Sequence, residues 1–552
     1  MSLGSWRIAE LRWLWYEIST IFQANYVYAS IQPIPVCRSE PSPVNQKFEI
    51  DRLRRKSEAA WERFDYEKSK ALLVQAHHLS PRDPRLLLDL GFQSGLRYDY
   101  AQAAEYFEKA IRLAGWQTAA FTAAGLQCLK FSQPIMARGY FTRALKNHPD
   151  AVDILVPLAR VYERLGQLDE AEEFATRAAN LAPASKPARR IQAMILRRRN
   201  CLAEAEVILR SVAEPPDADF WATAQIWYEL GLNLDLQARY DEAMAAFAEA
   251  KKFLLPATEA EYTLNQGRQA QMLNDAQTVT AAMLQRFHAG SGQLPPPRRI
   301  AFLSGHPRCG TTLLEQVLDA HPEVVSLSET MIFNSDVYGP LTGGIPGHDN
   351  LAWFQQIPPA QLLPARKNYF AQAEKFLGQP VGHRLLIDKN PSLTNRFPAI
   401  GKVFPEARFM VALRDPRDVC LSCFMQAQRP GVVTSAYLDL GRTVHEYSVV
   451  MGFWLTLRDQ MAAPWLEIRY ENMVVGLESV ARRTLAFLGL PWDERVLAFN
   501  QHAQGKIVRS PTYADVGRPI YKTSQGRWHN YQKHLEPHLA KLEPFAKAFG
   551  YE

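Results

Sequence analysis

The chain has 552 residues, with 63 Lys and Arg against 57 Asp and Glu and a net charge of +6. That length exceeds one ordinary hydrophobic core and predicts two domains. A 47% hydrophobic and 22% charged composition is that of a globular protein and excludes a collagen-like or disordered chain. The mild positive balance suits an anionic ligand. No Lys/Arg-rich run with interleaved aromatics marks a nucleic-acid groove, so no nucleic-acid partner is expected.

Residues 1–50 read as an N-terminal extension and linker. The stretch from Trp6 to Tyr28 is aromatic-rich, but Arg12 and Glu17 interrupt its apolar runs. It falls short of the roughly 20 apolar residues that a transmembrane span requires, and it has no signal-peptide core. An interfacial helix is the other reading of this stretch. Residues 32–43 carry four prolines and read as linker. The six cysteines, Cys37, Cys128, Cys201, Cys309, Cys420 and Cys423, are scattered. They form no disulfide framework and point to a reducing, cytoplasmic setting. Cys420 and Cys423 have redox spacing but do not follow a thioredoxin-like strand.

Residues 51–288 show a fixed period. Gly91, Gly125, Ala159 and Ala193 lie 34 residues apart. So do Ala103, Ala137, Ala171 and Ala205, and a third series of Ala76, Ala110, Ala144 and Ala178. Bulky residues recur at Tyr106, Tyr140, Phe174 and Ile208, and prolines at Pro81, Pro149 and Pro183. After a short slip the pattern resumes at Trp227, Gly231, Ala243 and Phe247. Paired helices cross closely at small residues, a bulky one fills the gap, and proline ends the second helix. This period is the tetratricopeptide (TPR) signature, and about six all-α repeats are expected from Leu53 to Leu255. Residues 258–288 read as helix and are expected to cap the array. Such an array exposes a concave face. It is open to two uses: capture of a peptide or protein partner, or a rigid scaffold that holds the enzyme domain or a homodimer.

Residues 289–298, rich in Gly, Ser and Pro, read as the linker to a second domain at 299–552. There the apolar run Ile300–Leu303 leads into Gly305-His306-Pro307-Arg308-Cys309-Gly310-Thr311-Thr312 and an amphipathic helix. Strand, glycine-bounded turn and helix N-terminus converge backbone N–H groups on one spot, a P-loop-like phosphate cradle. The Walker lysine is missing, and Arg308 stands before the second glycine instead. A nucleotide whose outer group is not a γ-phosphate fits that difference. Further strands are expected at Val324–Leu327, Leu385–Ile387, Phe409–Leu413 and around Leu466. They alternate with helices and give a mainly parallel α/β sheet. Glycines between Gly339 and Gly347 mark a mobile loop.

The motif Gly-x-Pro-Arg-x-Gly-Thr-Thr-Leu, with Asp319-Ala320-His321-Pro322 and Ser328-Glu329-Thr330, resembles the sulfotransferases, and more narrowly the tyrosylprotein sulfotransferase branch. The likeness runs from about Arg299 to the end of the chain. It implies transfer of a sulfuryl group from 3'-phosphoadenosine 5'-phosphosulfate (PAPS) to a hydroxyl of a peptide, glycan or small molecule, without a metal. It further implies that Arg308, Cys309, Gly310, Thr311 and Thr312 hold the 5'-phosphosulfate, with Cys309 where the family has serine. Glu329 would be the general base and Lys389 the stabiliser of the bridging oxygen and sulfuryl group. Arg414 and Ser422 would bind the 3'-phosphate, and Tyr470 would lie near the cofactor. Ser510 and Arg527, in a C-terminal segment of looser spacing, would reach the phosphates. His321 is a rival base, although its setting suits a helix-ending turn. Trp528 would stack on adenine or belong to the core. Two other functions stay open: a TPR scaffold carrying a catalytically inactive nucleotide-binding domain, and a P-loop kinase.

Overall fold

The computed structural model describes residues 44–214, 219–288, 294, 297–343, 350–429, 431–503 and 520–551. The chain packs as two compact units, a helical array up to Ala257 and a second unit from Thr258 onward, apart from a few residues near 427 that join the array.

The array consists, among the described residues, of six helix pairs: Val44–Glu62 with Tyr66–Leu79, Pro84–Leu96 with Tyr100–Leu113, Thr118–Lys130 with Pro134–Asn147, Val152–Arg164 with Leu168–Leu181, Lys186–Arg198 with Leu202–Ala213, and Phe220–Leu236 with Tyr240–Lys252. The small positions are where the pairs touch. A Cβ on Gly91 would lie 2.4 Å from the Phe107 ring, one on Gly125 2.6 Å from Phe141, and one on Gly231 2.6 Å from Phe247. At Gly91 and Gly125 the residue filling the gap is therefore the one after the expected tyrosine, and at Gly231 it is the expected Phe247. Phe107 is fully buried while Tyr106 is half-buried. Where Ala159 replaces glycine, the residue at the same spacing is Ala175, and both lie in one core cluster. The turn within each pair carries a left-handed residue at Phe64, Tyr98, Ser132, Gly166, Asn200 and Ala238. This conformation costs a non-glycine residue roughly 1–2 kcal/mol, and burial of Phe64 and Tyr98 offsets it.

The segment expected to cap the array belongs to the second unit. Helix α1 (Glu259–Thr278) packs on helix α4 (Leu440–Arg458). The contact is polar: Asn265 Nδ2 and Gln269 Nε2 donate to Glu446 Oε2 at 3.1 and 2.6 Å, and Arg268 pairs with the same carboxylate. Burial works against the Glu446 charge, but Arg268, Gln269 and Asn265 outweigh it and hold the carboxyl below its ordinary range.

The second unit is built on five parallel strands: β1 (Ile300–Gly305), β2 (Val324–Ser328), β3 (Leu385–Lys389), β4 (Arg408–Leu413) and β5 (Trp465–Arg469), in the order β2-β3-β1-β4-β5. β1 and β3 are buried along their whole length, as covered parallel strands must be. Helix α2 (Thr311–Asp319) follows β1, and helix α3 (Pro416–Phe424) follows β4. The chain order reverses about β1, and open α/β sheets bind ligands at the carboxyl ends of the strands beside such a reversal. Of the glycine-rich loop, Gly339–Thr342 forms a short helix, and residues 344–349 lie outside those described.

Phe141 tests the array. Phe141→Ala should lower stability by about 3–5 kcal/mol, the usual cost of an aromatic cavity, seen as a lower urea midpoint. A change under about 1 kcal/mol would contradict close packing at Gly125.

Candidate active site

Five expected residues sit on one edge because each ends or follows a strand. Gly305 ends β1, Glu329 follows β2, Lys389 ends β3, Arg414 follows β4 and Tyr470 follows β5. The register aligns them: Ser328 pairs with Lys389, Gly305 with Ala412, and Leu413 with Arg469.

The loop after β1 turns tightly. Gly305 has φ +148°, and a Cβ there would meet the Ala412 carbonyl at 2.5 Å. Gly310, at φ +91°, is the N-cap of α2, and no side chain caps this helix. The helix N-terminus, from Thr311 onward, faces the loop. A Cβ on Gly310 would lie 2.7 Å from the Tyr470 ring, so Tyr470 packs directly on the loop. Arg308 is held at φ +74° and its Nε donates to Ser422 Oγ at 3.0 Å. Arg414 lies over the Tyr470 ring at 5.1 Å, donates to the Arg308 carbonyl at 3.4 Å and to that of Ser524, and stands 3.5 Å from Asp418. Its buried Nε has no hydrogen-bond partner among the described residues. An anion would satisfy this donor.

The second half of the edge centres on Lys389. Its side chain is fully buried, with Nζ 2.7 Å from Glu329 Oε1 and 3.0 Å from Glu315 Oε2. Burial opposes the ammonium charge, yet Glu315 and then Glu329 outweigh it and hold Lys389 above its ordinary value. Glu329 sits at φ +50°, and its N–H donates to the Lys389 carbonyl at 2.8 Å. Among the described residues of the second unit, Arg308 and Glu329 are the non-glycine residues with left-handed backbone. Such strain costs about 1–3 kcal/mol and gathers at functional sites. Glu315 was not anticipated from sequence. It reads as one more charge on an amphipathic helix, and only the fold turns it inward. The neighbouring Asp388 lies instead beside Tyr369, whose hydroxyl donates to it at 2.8 Å. Burial pushes the Asp388 carboxyl up to about 7.

Other expected residues fall in different places. Cys309 is fully buried, and its thiol is pushed up to about 12 by burial. Cys420 and Cys423 are free thiols, and Cys423 Sγ lies 3.5 Å from the Pro307 carbonyl beneath the loop. His321 uses Nε2 on the Pro491 carbonyl and Nδ1 on the Glu323 N–H, as a turn residue does. Asp415 caps α3. Asp418 instead accepts the N–H groups of Gly526 and Trp528 at 2.9 and 2.8 Å. That latch brings the turn carrying Arg527 to the helix of Ser422. Trp528 is buried with Arg417 stacked 4.1 Å from its ring. Ser510 lies outside the described residues. Among the described residues no group of three or more His, Cys, Asp or Glu is arranged to hold a metal ion, and no helix is long and apolar enough to cross a membrane.

The domain is a parallel α/β sheet with a lysine-free glycine loop and a buried lysine–carboxylate cluster at its carboxyl edge. Residues 301–494 match the sulfotransferase family, and residues 133–195 match a tetratricopeptide repeat. The chain therefore carries a sulfotransferase domain behind TPR repeats. It is 25% identical over 409 residues to an uncharacterized protein of Aquifex aeolicus, covering 72% of this chain and 51% of that one. It is 25% identical over 269 residues to protein-tyrosine sulfotransferase 1 of Danio rerio, covering 46% of this chain and 72% of the relative. Among solved structures, the sulfotransferase domain of the Synechococcus PCC 7002 olefin synthase aligns with 21% identity and a TM-score of 0.35, covering 46% of this chain and 96% of that one. The chain spans about half the length of the Aquifex relative.

The thiols give a direct check. Buried thiols of raised pKa are inert, so maleimide at pH 7.5 should label half-buried Cys201 and leave Cys309, Cys420 and Cys423 unmodified in peptide mass spectra. Labelling of Cys309 as fast as Cys201 would contradict its burial.

Proposed function

We propose that the second unit transfers a sulfuryl group from PAPS to an acceptor hydroxyl. One observation carries the reading: Lys389 lies against Glu329 at the same sheet edge as a phosphate loop that lacks a lysine of its own. In this reading Glu329 takes the proton of the acceptor hydroxyl as its oxygen bonds to sulfur. The bond from sulfur to the bridging phosphate oxygen breaks, and Lys389 offsets the charge that grows there. The helix N-terminus with Arg308, Thr311 and Thr312 holds the 5'-phosphosulfate. Arg414, Ser422 and Arg527 hold the 3'-phosphate, with Tyr470 packed beside them.

Protein tyrosine is the proposed acceptor, on the strength of the named relatives, and the TPR array is assigned recruitment of the acceptor or a partner protein. A reducing, cytoplasmic setting completes the reading. Incubation with sulfur-labelled PAPS and a panel of tyrosine peptides, glycans and phenols should give label transfer, fastest to tyrosine. Glycan labelling with silent tyrosine peptides would move the acceptor class. No transfer or label release, together with no rise in melting temperature on adding PAPS, would overturn the reading.

The 3'-phosphate assignment has its own test. Arg414→Ala should weaken PAPS by about 10- to 100-fold, the loss of a charge-assisted bidentate contact. Adenosine 5'-phosphosulfate, which lacks that phosphate, should bind almost unchanged in calorimetry. Equal weakening of both would contradict the assignment.

A further inference from the structure

Glu315 lies outside the roles assigned above, yet it is a fully buried charge at the sheet edge. It projects from α2, whose N-terminus forms the phosphate loop. Its side chain is fully buried, whereas that of Glu329 is 13% exposed. One oxygen accepts from Ser326 Oγ at 3.2 Å, and the other accepts from Ser328 Oγ at 3.2 Å and lies 3.0 Å from Lys389 Nζ. No acceptor hydroxyl can reach a carboxylate enclosed in this way. Glu329 faces the opposite requirement. It must turn to the acceptor, and so cannot be the only partner of a buried ammonium.

We infer that Glu315 is a positioning residue for sulfuryl transfer: it is the fixed counterion that keeps Lys389 charged and in place, and so leaves Glu329 free to act on the acceptor. The inference rests on the sulfuryl-transfer reading above. Two carboxylates share one ammonium, so Lys389 is already neutralised when Glu329 turns to the acceptor. The dependence is mutual, because burial holds the Glu315 carboxyl above its ordinary range and Lys389 pulls it only part of the way back. The charged groups facing Lys389 are Glu315 from α2 and Glu329 after β2; Asp388, its neighbour on β3, lies against Tyr369, and Asp319 one turn along α2 acts on Glu315. Of these, Glu315 is the strongest influence that keeps Lys389 protonated. A lysine held up in this way loses its charge as pH rises through its folded-state value. Removing Glu315 lowers that value and brings the loss to lower pH.

The test is the pH profile of kcat for two variants, with melting temperatures to confirm folding. Glu315→Gln keeps shape and removes charge. Its kcat should fall by about 10- to 100-fold while KM for PAPS changes by less than about threefold. The alkaline limb of its profile should move down by about one pH unit or more. Glu315→Asp keeps the charge, and its alkaline limb should stay within about half a unit of wild type, whatever its rate. A merely structural glutamate would give the reverse order, with the isosteric Gln the milder change and neither limb moved; that result overturns the role of Glu315 alone. If Glu315→Gln does not fold, an alkaline limb that moves down in folded Glu315→Asp overturns the role, because the charge is still present there. Wild-type protein that binds PAPS without turnover, or does not bind it, overturns the sulfuryl-transfer reading and this role with it.

Discussion

The ammonium of Lys389, fully buried between Glu315 and Glu329, is the contact on which the second unit depends. Each charge is expensive to bury and tolerable only with its partners in place. Removing one member of such a buried cluster costs about 3–5 kcal/mol, because the others are left uncompensated. The cluster spans three elements: Glu315 on α2, Glu329 after β2 and Lys389 at the end of β3. It therefore locks the register of β2 against β3, where Ser328 pairs with Lys389. Stability and placement of the reactive groups share one origin.

The same helix joins the two halves of the site. The N-terminus of α2 shapes the phosphate loop, and its fifth residue holds Lys389. On the far side of β1, Arg308 reaches Ser422 on α3, and Arg414 reaches the Arg308 carbonyl. The glycine loop, Glu329, Arg308 and Arg414 are thus tied to one sheet edge. In the proposed reaction, a phosphate at the helix end would lie within the same frame as Lys389. This coupling is what positional catalysis requires, because misplacement by about 1 Å costs on the order of a hundredfold in rate.

Much of this was legible in the sequence because it is periodic or local. The 34-residue step fixes the helix pairs, and a strand ending in a glycine turn fixes the phosphate loop. Residues directly after apolar runs, such as Glu329, Lys389 and Arg414, are carried to the edge by the strands themselves. What escaped notice depends on tertiary packing. Glu315 resembles any surface charge until α2 docks on β2 and β3. Helix α1 resembles a cap for the array because its buried face is Asn265, Arg268 and Gln269, and hydrophobic periodicity is blind to a polar contact around Glu446. Phe107 rather than Tyr106 fills the gap at Gly91, a shift of one residue that spacing alone does not resolve. The left-handed turns at Phe64 and Tyr98 escaped for the same reason, since nothing in an aromatic residue announces a positive φ.

The separate roles of Glu329 as base and Lys389 as stabiliser are tested most directly by the dependence of sulfuryl transfer on acceptor acidity. Turnover of wild type, Glu329→Gln and Lys389→Ala would be measured across a series of phenols of falling pKa with sulfur-labelled PAPS. Each variant should be slowed with a weakly acidic phenol, Glu329→Gln by about 10²–10⁴. An acidic phenol, already partly ionised, should restore Glu329→Gln far more than Lys389→Ala, because only the former has lost its base. Parallel responses of the two variants, or wild-type turnover by Glu329→Gln, would contradict the division of labour at the sheet edge.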